Sequence, residues 1–267
     1  MMAMVDLGTG NGSVYQGVIC LRSKTMDIEV ERHNGWAKLM LNRPERRNAI
    51  VGPMATELAT AIRALDEDED IQTILLCGAG GAFCSGLDLK EFNADPEPEW
   101  LADFGAAWRS THIALFECVT PIVGALERFA INGGASLALA CDLLVVGEDS
   151  YLQIGEVRQG MGAPYNLAWL ALRHPETVGL RLSLIGDRVP GSALLELGVA
   201  YSCVPDDDVL QHAMALSAAI ADYPPGAARR IKAGLTGLSR GDAGEWFDQA
   251  TGHDTGVGRM KPRAVDR

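Results

Sequence analysis

Two glycine-rich segments stand where backbone chemistry can be done. "GAGGAFCSGLDLKEF" spans residues 78–92 and "FAINGGAS" spans residues 129–136. Each follows an apolar run and precedes a polar, then helical, stretch. At such a turn several backbone N–H groups have no helix partner. Two of them aimed at one point make an oxyanion hole, which holds the charge that develops on a carbonyl oxygen. Gly133 and Gly134 open the run Leu137-Ala138-Leu139-Ala140-Cys141, so a helix dipole would add to that field. Adjacent glycines cost backbone entropy, and a close approach to their backbone is one reason to keep them. Glycine pairs also serve simply as tight turns, and spacing alone leaves both readings open. Neither segment is a phosphate loop, because G-x-x-x-x-G-K-[ST] is absent and no G-x-G-x-x-G follows a first strand.

The elements around these turns follow from hydrophobic period. "DIEVER" (27–32) and "WAKLMLN" (36–42) flank His33-Asn34-Gly35 and read as a hairpin. Pro53 to Glu67 carries Met54, Leu58, Ala61, Ile62 and Leu65 at helical spacing. "QTILLCG" (72–78) is apolar almost throughout, as a parallel strand covered on both faces would be. The unit then recurs. A helix over Leu101 to Cys118 has Phe104, Trp108 and Leu115 in its stripe, and "PIVGALE" (121–127) is a strand. The "GGASLALA" helix and a strand over "CDLLVVGE" (141–148) follow. Strand, glycine turn, helix and strand in alternation predict an α/β fold with a parallel sheet. Beyond Asn166 the pattern is helical over 166–173, 176–185, 191–198, 207–222, 225–238 and 242–252. Tyr201 to Val204 is the late strand candidate. The reading divides the chain into a flexible arm (1–25), an α/β core (26–200) and a helical C-terminal region (201–267).

Bulk properties exclude several classes. The 267 residues are 48% hydrophobic, enough for a sizeable core. A net charge of −12 without a basic run argues against nucleic acid as a partner. The apolar run from Leu137 to Val146 is broken by Asp142 and too short for a bilayer. The six cysteines form no C-x-x-C pair and mostly lie in apolar runs, so they read as reduced, small hydrophobes. The five histidines are far apart and form no ligand set by spacing; they read as ordinary partly buried or surface residues. With no signal peptide in view, the expected location is cytoplasmic.

Taken together, "LNRPERRNAI" (41–50), "GGAFCSGLDLKEF" (80–92), "PIVGALERFAINGGASLALACDLLVV" (121–146) and "GEVRQGM" (155–161) occur in an order and spacing that resembles the enoyl-CoA hydratase/isomerase family, the crotonase superfamily. The resemblance covers roughly residues 26 to 240. It implies a spiral of ββα units around an acyl-CoA site, with C-terminal helices that build trimers or dimers of trimers. It implies no metal and no redox cofactor. The shared chemistry is stabilisation of a thioester enolate by two backbone amides, which by motif position are those of Leu87 and Gly133. The "RRNAI" loop implies a nucleotide contact. There Arg47 would meet phosphate or ribose, and the Ala49 backbone would meet adenine. Ala82 to Gly86, with Asp88 and Lys90, would wrap adenine and pantetheine. A solvated basic loop paired with Glu45 is the alternative for Arg46 and Arg47.

A hydratase places two carboxylates around a water, one to take a proton and one to give it. In the family pattern the first lies three residues after the oxyanion glycine, which here is Ser136. The second lies twenty residues further on, which here is Glu156, preceded by Gly155 rather than proline. Serine has no useful pKa near neutrality, although it can hold a water or a substrate hydroxyl. It can equally serve as an N-terminal helix cap. Glu156 in a dry acyl pocket would have a raised pKa and act as a single proton shuttle; as an exposed turn glutamate it would do neither. Other departures are Asn132 in place of the first glycine of a triple, and "GMGAPYN" (160–166) in place of an "IPGxGG"-type stretch. A third is the tail "DTGVGRMKPRAVDR" (254–267), which lacks an aromatic. A single glutamate suits an enoyl-CoA isomerase or a hydratase. The open alternatives are a non-catalytic acyl-CoA-binding homologue and a hydratase-lyase acting on aryl-acyl-CoA. The last resembles this chain in its Ser and Glu but uses a C-terminal tyrosine, and no tyrosine follows Tyr223.

Overall fold

The computed structural model describes residues 26–252. The arm assigned to 1–25 and the tail 254–267 lie outside the described residues. Strands β1 (Ile28–Arg32) and β2 (Trp36–Leu41) form the expected antiparallel hairpin. Gly35 closes it at φ +75°, in the left-handed region that glycine enters without a Cβ penalty. Then follow α1 (Gly52–Glu67), β3 (Thr73–Gly78), α2 (Leu89–Phe92), α3 (Phe104–Glu117), β4 (Ile122–Leu126), β5 (Phe129–Ile131), α4 (Gly133–Ala140) and β6 (Leu143–Gly147). The remainder is β7 (Tyr151–Gln153), α5 (Pro164–Arg173), α6 (Glu176–Ser183), β8 (Arg188–Pro190), α7 (Gly191–Glu196), β9 (Ser202–Val204), α8 (Val209–Ala221), α9 (Ala227–Ser239) and α10 (Ala243–Gly252).

The main sheet runs β1-β2-β3-β4-β6-β9, and every pairing after the hairpin is parallel. All residues of β3 and β4 are buried, which is why their sequences show no alternation. The two faces nevertheless feed different cores. Ile74 and Leu76 pack with the apolar stripe of α1, whereas Leu75 and Cys77 pack with Val209 and Ala213 of α8. A smaller sheet, β5-β7-β8, lies apart from the main one. Its three short strands were not expected from the sequence, and β8 joins β9 as a second late strand. Three residues are too few to display a period of two. Smaller differences fall at element ends. Residues 101–103 form a turn before α3, and a 3-10 turn (Asp206–Asp208) precedes α8.

The division at residue 200 separates neighbours. β9 pairs with β6, α8 covers one face of the main sheet, and Phe247 of α10 is fully buried against α3 and α5. Asp142, in the turn between α4 and β6, ties three elements together. Its carboxylate accepts from the Ile122 N–H (2.8 Å) and from Arg173 (3.1 Å), and it pairs with the ammonium of Lys232 (2.6 Å). The cysteines Cys77, Cys84, Cys118 and Cys141 are buried and unpaired, and burial pushes each thiol up to about 12. No helix among the described residues is long and apolar enough to cross a membrane. No metal-ligating cluster occurs among them.

Candidate active site

The glycine pair divides its work. A Cβ on Gly134 would lie 2.5 Å from the Cys84 carbonyl oxygen and 2.9 Å from its Cβ. Gly134 is therefore what lets α4 sit against the 84–87 loop. A Cβ on Gly133 would meet the Ile50 side chain at 3.1 Å, Trp108 at 3.6 Å and Leu87 at 3.8 Å. Gly133 keeps a cavity open, which Leu87 and Trp108 also line. The 84–87 loop is held by two parallel bridges, Ile50 with Leu87 and Cys84 with Ala130. In the first, Ile50 N–H donates to Gly86 O and Asp88 N–H to Ile50 O. The Leu87 N–H is thereby turned to the side away from Ile50. Neither the Leu87 nor the Gly133 amide finds an acceptor among the described residues.

The cavity, about 400 Å³, is lined by Leu87, Trp108, Gly133, Ser136, Glu156 and Tyr165 among others. All four residues expected to do chemistry thus share one space. Glu156 opens a 3-10 turn, Glu156–Gln159, and is only 8% exposed; it is not an exposed turn glutamate. Its Oε1 accepts from Asn166 Nδ2 at 3.0 Å, while Oε2 is buried with no partner. Burial raises this carboxyl to about 7, against the smaller opposing effect of its hydrogen bonds.

Ser136 departs from the expected helix cap. It caps no N–H of α4; its hydroxyl instead donates back to Gly133 O at 2.7 Å, a common use of serine inside a helix. Its oxygen also lies 3.4 Å from His112 Nε2. His112 is fully buried, not the partly buried or surface residue that was expected. Trp169 Nε1–H donates to its Nδ1 at 2.9 Å, so the ring proton sits on Nε2 and faces Ser136. Burial pushes the imidazole down to about 3, which keeps it neutral. Tyr165 stacks on it at 4.4 Å between centroids, and Trp108 meets it edge-on at 4.5 Å.

Asn132 has φ +51° immediately before Gly133, a conformation asparagine tolerates better than most residues. Its Oδ1 accepts from the Gly155 N–H at 2.8 Å, its N–H donates to Gln153 O at 2.8 Å, and its carbonyl accepts from Asn166 Nδ2 at 3.1 Å. Proline at 155 would have no N–H to offer Asn132, so the two departures at 132 and 155 meet in one hydrogen bond.

The residues expected to hold CoA fall into two groups. Ala49, Ala82, Gly86 and Asp88 are buried. Ala82 O accepts from Asn48 Nδ2 at 2.7 Å, and Gly86 stands at φ +89° with Ile131 O only 2.8 Å from where a Cβ would be. Asp88 is engaged within the protein: it accepts from Arg46 at 3.0 and 2.6 Å, lies 3.3 Å from Arg43, and caps Glu91 N–H. These contacts hold its carboxyl below the usual range against the effect of burial. Arg46 therefore pairs with Asp88, not with Glu45. Arg47 and Lys90 are exposed, and neither side chain has a protein partner among the described residues. His112, Asn132 and Asn166 are the site residues that sequence reasoning passed over or noted only as departures.

A family model described as Enoyl-CoA hydratase/isomerase matches residues 31–245. This chain belongs to the enoyl-CoA hydratase/isomerase family. A putative enoyl-CoA hydratase of Thermus thermophilus is 33% identical over 79% of this chain and 84% of its own. The hydroxycinnamoyl-CoA hydratase-lyase of Pseudomonas fluorescens is 29% identical over 84% of this chain and 80% of its own. The rat mitochondrial Delta(3,5)-Delta(2,4)-dienoyl-CoA isomerase is 29% identical over 74% of this chain, which spans 64% of that protein's length. Among solved structures, an enoyl-CoA hydratase of Mycobacterium tuberculosis superposes with a TM-score of 0.69 at 30% identity, covering 87% of this chain and 90% of its own. Relatives in this family thus bear hydratase, isomerase and lyase names, and membership alone does not select a reaction.

Proposed function

We propose that the chain is an acyl-CoA enzyme that stabilises a thioester enolate on the amides of Leu87 and Gly133 and moves protons with Glu156 alone. The observation that supports this is a buried carboxyl with one oxygen unpartnered among the described residues, in a cavity also lined by Leu87 and Gly133, whose backbone N–H groups have no acceptor among those residues. As carboxylate, Glu156 takes the proton from C2 of a 3-enoyl thioester. The electron pair moves onto the thioester oxygen, where two amide donors stabilise it. The proton returns at C4, and the double bond is left between C2 and C3. A group that titrates near 7 suits both halves of that transfer. Hydration uses the same groups with water as the co-reactant. The reading calls for no metal or redox cofactor. Arg47 and Lys90, both without side-chain partners among the described residues, could meet phosphates. Assembly as a homotrimer or dimer of trimers belongs to the same reading, supported by Ile231, Leu235 and Leu238, which α9 leaves exposed.

The test is turnover across 2-enoyl, 3-enoyl and aryl-acyl CoA thioesters, with mass detection of isomerised, hydrated and cleaved products. Glu156→Gln is expected to lower the rate about a hundredfold or more. Undiminished activity in that variant refutes the role of Glu156. Binding of the thioesters without turnover by the wild type replaces the enzyme with an acyl-CoA-binding homologue. Cleavage of an aryl-acyl substrate is the outcome to which the rings of Phe104, Trp108 and Tyr165 in the cavity wall point.

A further inference from the structure

We propose that Asn166 and Asn132 are positioning residues forming an amide clasp that presents only the Oε2 atom of Glu156 to the cavity and fixes it relative to the Gly133 amide. The proposal rests on the reading of Glu156 as the proton carrier.

Asn166 lies in the first turn of α5 and is 2% exposed. Its Nδ2 has two hydrogens, and both are spent: one on Asn132 O at 3.1 Å, the other on Glu156 Oε1 at 3.0 Å. Asn132 completes the clasp from the other side. Its Oδ1 takes the N–H of Gly155, the residue before Glu156, and its own N–H goes to Gln153 O. Three hydrogen bonds through two side chains, with a fourth between the Asn132 and Gln153 backbones, thus join the start of α4 to β7 and the turn that carries the acid. One carboxylate oxygen is occupied by the clasp, so exchange with a substrate is left to the other. A brace made of packing alone would orient Glu156 without touching its ionisation. The Asn166 N–H does both, because it stabilises the charged form and opposes burial.

The experiment is a carboxyl-carbon NMR titration of the full chain labelled at glutamate, with the Glu156 signal assigned by its loss in Glu156→Gln. Asn166→Leu keeps the volume and removes the donor. Its Glu156 midpoint is expected to rise by about 1 pH unit or more, the order expected for one hydrogen bond to a charged group. An unmoved midpoint in a variant with native near-ultraviolet circular dichroism overturns the proposal. If the leucine variant does not fold, Asn166→Asp is isosteric and sets a second carboxyl beside Glu156. The pair must then titrate with one apparent value raised, and a Glu156 titration unchanged from wild type overturns the proposal equally. Asn132→Gly keeps the positive φ and removes the Gly155 contact. It is expected to lower kcat about tenfold at unchanged KM on whichever thioester the wild type turns over; an unchanged kcat removes Asn132 from the clasp. Full activity in Glu156→Gln would sink the proton-carrier reading, while the titration still reports on the clasp itself.

Discussion

Replacing Glu156 by glutamine should stabilise the protein, and only above a definite pH. The carboxyl is raised from 4.5 to about 7 because the cavity desolvates it. Below 4.5 the folded and unfolded chains are both protonated, and the group contributes nothing to the pH dependence. Between 4.5 and about 7 the unfolded chain ionises while the folded chain keeps its proton, so stability falls as pH rises. Above 7 the folded chain carries a buried charge and the full cost is present. The rise corresponds to about 3 kcal/mol. Glutamine is uncharged at every pH, nearly the same shape, and able to keep the carbonyl contact with Asn166 Nδ2. Urea denaturation of both proteins at pH 5 and pH 8.5, at one fixed protein concentration, isolates the effect, because every other titrating group cancels in the difference. Part of that cost is already present at pH 5, so the variant should gain about 2.5 kcal/mol on wild type in going from pH 5 to pH 8.5. In a thermal scan this is a relative shift of roughly 5 °C for a chain of this size. A difference between the two proteins that is the same at both pH values would refute the claim that the cavity raises this carboxyl.

Two further predictions concern the frame. Gly134→Ala pushes a Cβ into the Cys84 backbone at 2.5 Å, where no side-chain rotation gives relief, and should cost about 1–3 kcal/mol by urea denaturation; wild-type stability would mean that α4 is not held against the 84–87 loop. Asp142→Asn leaves Lys232, 8% exposed, without its counter-charge, and should cost about 3–5 kcal/mol, with a loss below 1 kcal/mol counting against a shared anchor for β4, α5 and α9.

The parallel core could be read from sequence because its signal is local. β3 and β4 are apolar along their whole length, and α1 has a clean stripe. The two glycine turns were legible for the same reason, since Gly133, Gly134 and Leu87 belong to short contiguous motifs. The clasp was not, because Asn166 reaches a carbonyl 34 residues away, and no local pattern marks a helix-start asparagine as a donor to a distant turn. The small sheet escaped because strands of three residues gain their identity from partners far along the chain. His112 is a different case, since a signal existed. It lies four residues after Trp108 and four before Phe116, on the face that α3 buries. A polar residue in that stripe needs partners, and Trp169 and Ser136 supply them.

The wiring of that histidine limits what the cavity can become. Serine beside imidazole, next to two idle backbone amides, is on paper the beginning of a hydrolase. Here the hydrogens run the wrong way. Trp169 donates into Nδ1, the remaining ring proton points at Ser136, and Ser136 gives its own hydrogen to Gly133 O. Making the serine a nucleophile would require two buried hydrogen bonds to be surrendered. It would also require an imidazole that stays neutral down to about pH 3 to accept a proton. On the proposed reading, a thioester lodged against these amides meets no serine wired to take its acyl group, so the cavity would rearrange the acyl chain without passing it to Ser136.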